Sequence, residues 1–330
     1  MVKQAGRGAR ALSGGVRAGR GGRASRWLRA AAASGAFLTL APGCSLSQLT
    51  TDQTAGLLSQ GSVALDRESD LQFAREAMPA SLKTLETFLI NSPQNPELLL
   101  LLTRGFNSYA FAFLEGDLEK ARFEGSEQEV ESLNRRAVLH YMRARTYGFI
   151  LLDYADFERA ALGGDLDAVR RLIKDFKKDD VPGLFWTAYG WASAINLAQD
   201  DPDMVGALPM IEVMMSRVIE LDPHYMDGSP YVFMGTYYAS RPPMFGGDPD
   251  KARQYYDQGM ASHGGSNLLI PFMYGRFLAA QLQDRALFNE MMAKVLEADV
   301  ADHPDGRLQN EIARDRARFW VEHADELFFE

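Results

Sequence analysis

Three stretches of this chain place a glycine inside an aromatic helical pattern at nearly regular spacing, and this repeat limits the fold more than any other feature. Trp186, Tyr189, Gly190 and Ser193 share the spacing of Tyr231, Met234, Gly235 and Tyr238, and again of Pro271, Tyr274, Gly275 and Leu278. Gly105, with Leu101, Arg104 and Ser108, is a weaker copy. The glycines at 190, 235 and 275 lie 45 and 40 residues apart, and Gly105 lies 85 before Gly190, about two such steps. Glycine inside a helix costs about 1 kcal/mol relative to alanine, so its recurrence calls for a packing reason, the close approach of a partner helix. A second helical pattern follows each: Ala137, Tyr141 and Ala144 after the first, then 204–221, 250–260 and 284–298, with Pro182, Pro223, Pro271 and Pro304 as punctuation. Gly148 fits the period numerically but sits in a second-helix pattern and is left out of the repeat. Strand alternation of useful length is missing from the body. The expectation is an all-α fold, a solenoid of stacked helical hairpins.

The hairpin from Pro230 to Gly259 is the most sharply punctuated. Tyr231, Met234, Gly235 and Tyr238 share one helix face, as do Ala252, Tyr256 and Gly259. Pro242 and Pro243 stop the first helix, and Gly246 and Gly247 permit positive φ. Asp248 reads as the N-cap of the second helix, with Pro249 at its first position and Asp250 in its first turn. Asn95 before Pro96 opens an earlier helix in the same way. Asp165 after Gly163 and Gly164 starts a short one toward Phe176. Pro79 marks a break or kink in the helical pattern of residues 70–96. Residues 97–115 are strongly apolar, but Arg104 and Asn107 sit near their middle, which favours a buried helix over a membrane span. Two insertions interrupt the period, at residues 116–130 and 241–248.

The charge is divided along the chain. Residues 1–43 carry Lys3, seven arginines and no acid; without them 27 basic residues face 44 acidic ones, a net charge of −17. So acidic a body argues against a nucleic-acid partner and against attraction to anionic lipid. The arginine- and glycine-rich start leads into a short apolar run over residues 30–41, then Pro42, Gly43 and Cys44, the layout of a signal peptide. The cysteine at that junction resembles the lipidation motif of bacterial lipoproteins, although Leu40 lies four residues before Cys44, where the motif has leucine three before, and Pro42 replaces a small residue. Residues 1–43 are therefore expected as a lipoprotein-type signal peptide. Cys44 is the expected lipidation site. Residues 44–68, rich in Ser, Thr, Gln and Gly and without helical periodicity, are expected as a tether, and residues 69–330 as one α-solenoid domain. A lone cysteine excludes an intramolecular disulfide framework.

The first-helix spacing, followed by Ala252, Tyr256 and Gly259 and a closing proline, resembles the tetratricopeptide repeat, in an elongated form. A narrower resemblance rests on several pieces in order: the cysteine at 44, the helix start Asn95-Pro96-Glu97-Leu98-Leu99, Arg143-Ala144-Arg145-Thr146-Tyr147-Gly148, Tyr189-Gly190-Trp191, and the run from Arg241 through Gly246-Gly247-Asp248 to Ala252. Together these resemble the TRAP transporter T-component (TatT) family over roughly residues 45–325. The resemblance implies a periplasmic, lipid-anchored, tetratricopeptide-like protein that accompanies the solute-binding subunit of a tripartite ATP-independent periplasmic transporter. It also implies self-association and a cavity for a small organic or hydrophobic ligand. The serine after Cys44 fits sorting to the outer membrane. An alternative of a different class is a tetratricopeptide lipoprotein that holds peptide segments during envelope assembly.

Motifs of catalysis are not evident: the chain has no phosphate loop, HExxH, GxSxG or CxxC. His140, His224, His263, His303 and His323 are scattered, and a metal site or cofactor is not expected. Acids such as Asp201 and Asp248 precede helix starts and read as caps. First helices of a solenoid line its concave side, so aromatics out of register with the glycine face are candidates for a ligand wall: Trp191, Tyr237 and Tyr238. Arg241 has two readings, a two-point contact to a ligand carboxylate or a cap on the carbonyls ending its helix. Arg143 and Arg145 divide between surface ion pairs and a polar pocket. Met244 and Phe245 lack a structural explanation in the loop and complete the candidate set.

Overall fold

The computed structural model of the chain describes residues 46–329, and among them every regular element is helical. Cys44 and the expected signal segment lie outside the described residues. Where a tether was expected, Leu46–Gly61 is a helix, α1, followed by a turn at Val63–Asp66. It lacks an apolar stripe and is held by tertiary contacts: Ala55 is buried, and Asp52 accepts hydrogen bonds from Ser92 Oγ (2.6 Å) and Asn95 Nδ2 (2.8 Å).

The caps read from sequence are in place. Asp70, not read as a cap from the sequence, accepts from the amides of Gln72 and Phe73 to start α2 (Leu71–Asn91), which continues through Pro79, so of the expected break or kink there is no break. Asn95 accepts from the Leu98 amide at 3.0 Å and starts α3 (Pro96–Tyr109). A π-helical turn, Ala110–Leu114, carries α3 into α4 (Glu115–Glu124), so most of the first insertion is helix rather than loop. Then come α5 (Glu127–Leu152), α6 (Ala155–Leu162), α7 (Leu166–Leu172), α8 (Val181–Leu197), α9 (Leu208–Leu221) and α10 (Tyr225–Ala239). Met226, Asp227 and Gly228 adopt left-handed backbone at the start of α10. The body ends with α11 (Pro249–His263), α12 (Leu269–Met273) with a π-helical turn at Tyr274–Ala279, α13 (Arg285–Glu297) and α14 (Arg307–Glu322). No described helix is long and apolar enough to cross a membrane.

Hairpin partners pack in succession: α3 against α5, α8 against α5 and α9, α10 against α9 and α11, and α12 with its π-turn against α11 and α13. The glycines sit where partners come closest. A Cβ at Gly190 would lie 2.5 Å from Asn107 Oδ1 and 3.1 Å from the Tyr141 carbonyl; at Gly235, 2.8 Å from the Tyr256 ring; at Gly275, 2.7 Å from Met292 Cε. Gly148, set aside by the repeat argument, meets Thr187 at the α5–α8 crossing more tightly still.

The stack does not remain open. Its last helix, α14, packs on α2 and on the turn at 63–66. Arg67 Nε reaches Asp305 Oδ1 at 2.7 Å across 238 residues. Arg316 clamps Glu119 through Nε (2.9 Å) and Nη2 (2.7 Å) across 197. The two ends of the stack thereby meet around a large, half-open central cavity, and the inserted helix α4 supplies one half of the buried latch.

Candidate functional site

The cavity has a volume of about 1490 Å³, above the roughly 300–1,000 Å³ of ordinary small-molecule pockets. Its wall comes from α1, α2, the first helices α3, α8, α10 and α12, the last helix α14, Glu115 of α4 and the start of α9, whereas the second helices α5, α11 and α13 contribute nothing to it. Phe111, Phe185, Trp186, Tyr189, Phe233 and Phe277 form its aromatic surface. Phe111 and Phe277 sit in the two π-helical turns, a local geometry frequent at functional sites.

The candidates read from sequence separate into groups. Tyr237 and Arg241 line the cavity. Tyr237 Oη donates to the Leu208 carbonyl at 3.1 Å. Arg241 Nη2 donates to the Tyr237 carbonyl at 2.6 Å and its Cζ stands 3.9 Å from the centre of the Tyr237 ring, so the capping reading describes its observed contacts. Trp191 and Tyr238 do not line the cavity. Each stands one residue or a few from a lining position but on the opposite side of its helix. Trp191 packs on Phe149 of α5 beneath the Arg145 guanidinium, and Tyr238 stacks on Tyr255 of α11 while donating to Glu212 at 2.7 Å. Arg143 and Arg145 are likewise outside the cavity. Arg143 pairs with Glu86 at 3.4 Å over the face of Phe106, and the two arginines flank a shallow surface hollow with Tyr147. Met244 is 82% exposed at the loop tip. The Phe245 side chain lies outside the described residues; its backbone closes the 3₁₀ turn Pro243–Phe245. In that loop Gly246 has φ 84°, and a Cβ on Gly247 would coincide with the Arg241 carbonyl.

A buried ionic cluster at the α4–α14 junction was not expected from the sequence. Arg316 is 4% exposed, and Glu119, its partner, is buried. Glu115, one turn before Glu119, accepts a hydrogen bond from Tyr141 Oη and lies 3.9 Å from Arg316 Nη2. Burial pushes the Glu115 carboxyl above its ordinary range, against the opposing pull of Arg316 and the Tyr141 hydroxyl. The same burial raises Tyr141 and Tyr189. Arg276, beside Trp320 at 3.7 Å, is pushed down to about 10 by desolvation and stays charged at neutral pH. A sequence signal for this cluster existed only as acids four residues apart across the start of an insertion, Glu115 and Glu119, which reads equally as a solvated helix face. The structure also joins His224 Nδ1 to His263 Nε2 at 3.0 Å, a pair separated by 39 residues.

The family model described as TRAP transporter T-component matches residues 67–328. The chain belongs to that family. As a T-component, it is an accessory component of a TRAP transporter. A similar protein, from Treponema pallidum (strain Nichols) and named only as an uncharacterized protein, is 26% identical over 268 residues, covering 80% of this chain and 82% of its own. The matched T-component region takes in both halves of the latch, Glu119 and Arg316, together with the lining helices from α2 to α14.

Proposed function

We propose that this chain is a non-catalytic, periplasmic accessory subunit that docks the solute-binding subunit of its transporter and holds an organic ligand with a large apolar surface in the central cavity. The observation that carries this reading is the cavity itself: a T-component whose first helices turn their aromatic side chains onto one large, mainly apolar space. A cavity of that size left to water would forfeit the dispersion and hydrophobic contacts its lining is built to make. Anchoring through a lipid on Cys44, in the outer membrane, completes the reading, and self-association belongs to it as a family expectation. The ion pairs that close the stack count against the alternative of an open peptide-holding groove for envelope assembly. The test uses the full chain carrying Cys44→Ser, purified without detergent and mixed with the solute-binding subunit of a TRAP transporter from the same organism. A saturable complex in analytical ultracentrifugation is expected. If the two sediment independently at micromolar concentrations, the docking role is refuted.

A further inference from the structure

Residues 46–66 precede the region that the family model matches, yet Leu57, Leu58, Ala64 and Leu65 of this stretch line the cavity. Only two of its residues, Asp52 and Asp66, are charged, in a chain where 24% are. Both turn inward: Asp52 accepts from Ser92 and Asn95, and Asp66 accepts from Arg104. The outward side is left with no charge of its own. It presents leucine instead. Leu49 is 52% exposed and Leu57 69%, about 80° apart round α1, whereas Thr51 and Ala55 are the only buried side chains among those described in the stretch. Phe73, in the first turn of α2, is 61% exposed. Leu57 and Phe73 line the cavity and are open to the outside at once, so they stand at its mouth. A single exposed leucine is ordinary on a protein surface. Large apolar side chains around an opening, beside a stretch without free charge, mark a contact surface.

The length of chain before α1 decides which contact. Cys44 stands two residues before Leu46, so an anchor there holds the start of α1 within about 7 Å. A protein partner is free to approach any face, but an anchoring bilayer meets the face its tether reaches. The lipid class follows from charge. Asp70 and Glu76 are exposed within a turn of Phe73, and residues 44–330 carry 27 basic against 44 acidic residues, so an anionic lipid surface would repel this side.

We propose that α1 and the first turn of α2 lie against a zwitterionic phospholipid surface, with Leu49, Leu57 and Phe73 in its interfacial layer and the cavity mouth turned toward the lipid. The proposal rests on the reading of Cys44 as the lipid anchor. The anchor holds the protein to the membrane, and the apolar side chains fix which side faces it. Zwitterionic head groups add no net charge attraction, so the contact depends on apolar area. Exchange between the cavity and the bilayer then needs no passage through bulk water.

Fluorescence quenching on liposomes tests this. Cys44 is the only cysteine, so once it is acylated Leu57→Cys, Phe73→Cys or Leu139→Cys supplies one free thiol for a nitrobenzoxadiazole label. Leu139 is the control: it is 62% exposed, on α5, which does not reach the cavity. Each labelled, lipidated full chain is placed on phosphatidylcholine liposomes with and without phosphatidylcholine bearing a nitroxide on its acyl chain. Labels at 57 and 73 are expected to shift to the blue and lose most of their emission to the nitroxide, and the label at 139 to keep both colour and intensity. Phosphatidylglycerol liposomes should quench the first two less. Flotation of the protein with the liposomes but equal quenching at all three positions overturns the orientation and leaves the anchoring intact. Shielding at 57 that arises only on addition of the solute-binding subunit assigns the face to that partner and overturns the proposal too. Quenching undiminished on phosphatidylglycerol overturns the preference for zwitterionic lipid. A protein that does not float overturns the anchoring and the proposal together.

Discussion

Replacing Gly235 by alanine probes the packing argument most sharply, because local and tertiary effects oppose each other there. Gly235 lies in α10, and a Cβ on it would stand 2.8 Å from Cδ1, Cε1 and Cζ of Tyr256. Ordinary contact begins near 3.4 Å, so the ring would have to yield by about 0.6 Å. It is poorly placed to do so. Tyr256 is fully buried, its hydroxyl is held by Thr236 Oγ1 at 2.8 Å and by the Met273 carbonyl at 3.2 Å, and its ring stacks on Tyr274 with centroids 4.9 Å apart. Overpacking a well-filled site costs about 1–3 kcal/mol, and a ring restrained on several sides belongs in the upper part of that range. Alanine returns about 1 kcal/mol of helix propensity. The net expectation for Gly235→Ala is a loss of about 1–2 kcal/mol. Gly116→Ala in α4, where no atom lies within 4 Å of the new Cβ, should instead gain about 0.5–1 kcal/mol. Urea denaturation of both variants, read as midpoint shifts at unchanged slope, measures the difference. A Gly235→Ala protein as stable as its parent would refute the claim that the recurrent glycines are there for helix approach.

The two contacts that close the stack should differ greatly in worth. Glu119→Ala strands Arg316 in the interior and should cost about 3–5 kcal/mol, whereas Arg67→Ala removes one partner of a pair that is 56% and 73% exposed and should cost under about 1 kcal/mol; parallel urea melts compare them. Because the fold raises the Glu115 carboxyl, the native state holds that proton more tightly than the unfolded chain. Its contribution is complete below the unfolded value and lost as pH rises through the raised one, so the stability of Glu115→Gln relative to the parent should grow as pH rises above the ordinary carboxylate range; equal pH profiles would show the burial effect to be absent. Met244→Ala, at the exposed loop tip, should change neither the urea midpoint nor ligand affinity; a shift in affinity would bring the loop into the site.

What the sequence disclosed is what local chemistry decides. Asn95, Asp165 and Asp248 cap helices through their own next amides, and the hairpin loop with Pro242, Pro243, Gly246 and Gly247 is dictated by backbone geometry within a few residues. The glycine faces were legible for the same reason, since a helix has one side per 3.6 residues. Two things were not. Trp191 and Tyr189 differ by two positions, yet one faces α5 and the other the cavity; in a helix with aromatics on every side, periodicity cannot tell which face meets a partner and which meets open space. The Glu119–Arg316 latch joins residues 197 apart, and neither acid nor base in an amphipathic helix announces that its counterpart lies at the other end of the chain. Gly148 lies in a second helix, α5, as its surroundings indicate, yet it meets Thr187 more closely than the repeat glycines meet their partners, because that crossing joins the second helix of one hairpin to the first helix of the next.

The measurement that tests the central claim most directly is native mass spectrometry of the full chain carrying Cys44→Ser, with dodecanoate added, beside the same protein with Ser108→Trp. Ser108 lies on the cavity wall, and an indole there would fill space a ligand needs. The account predicts one bound molecule per chain in the parent and none, or far weaker binding, in a Ser108→Trp protein that keeps the parent's helical circular dichroism. Equal occupancy in the two proteins would place the ligand elsewhere and contradict the account.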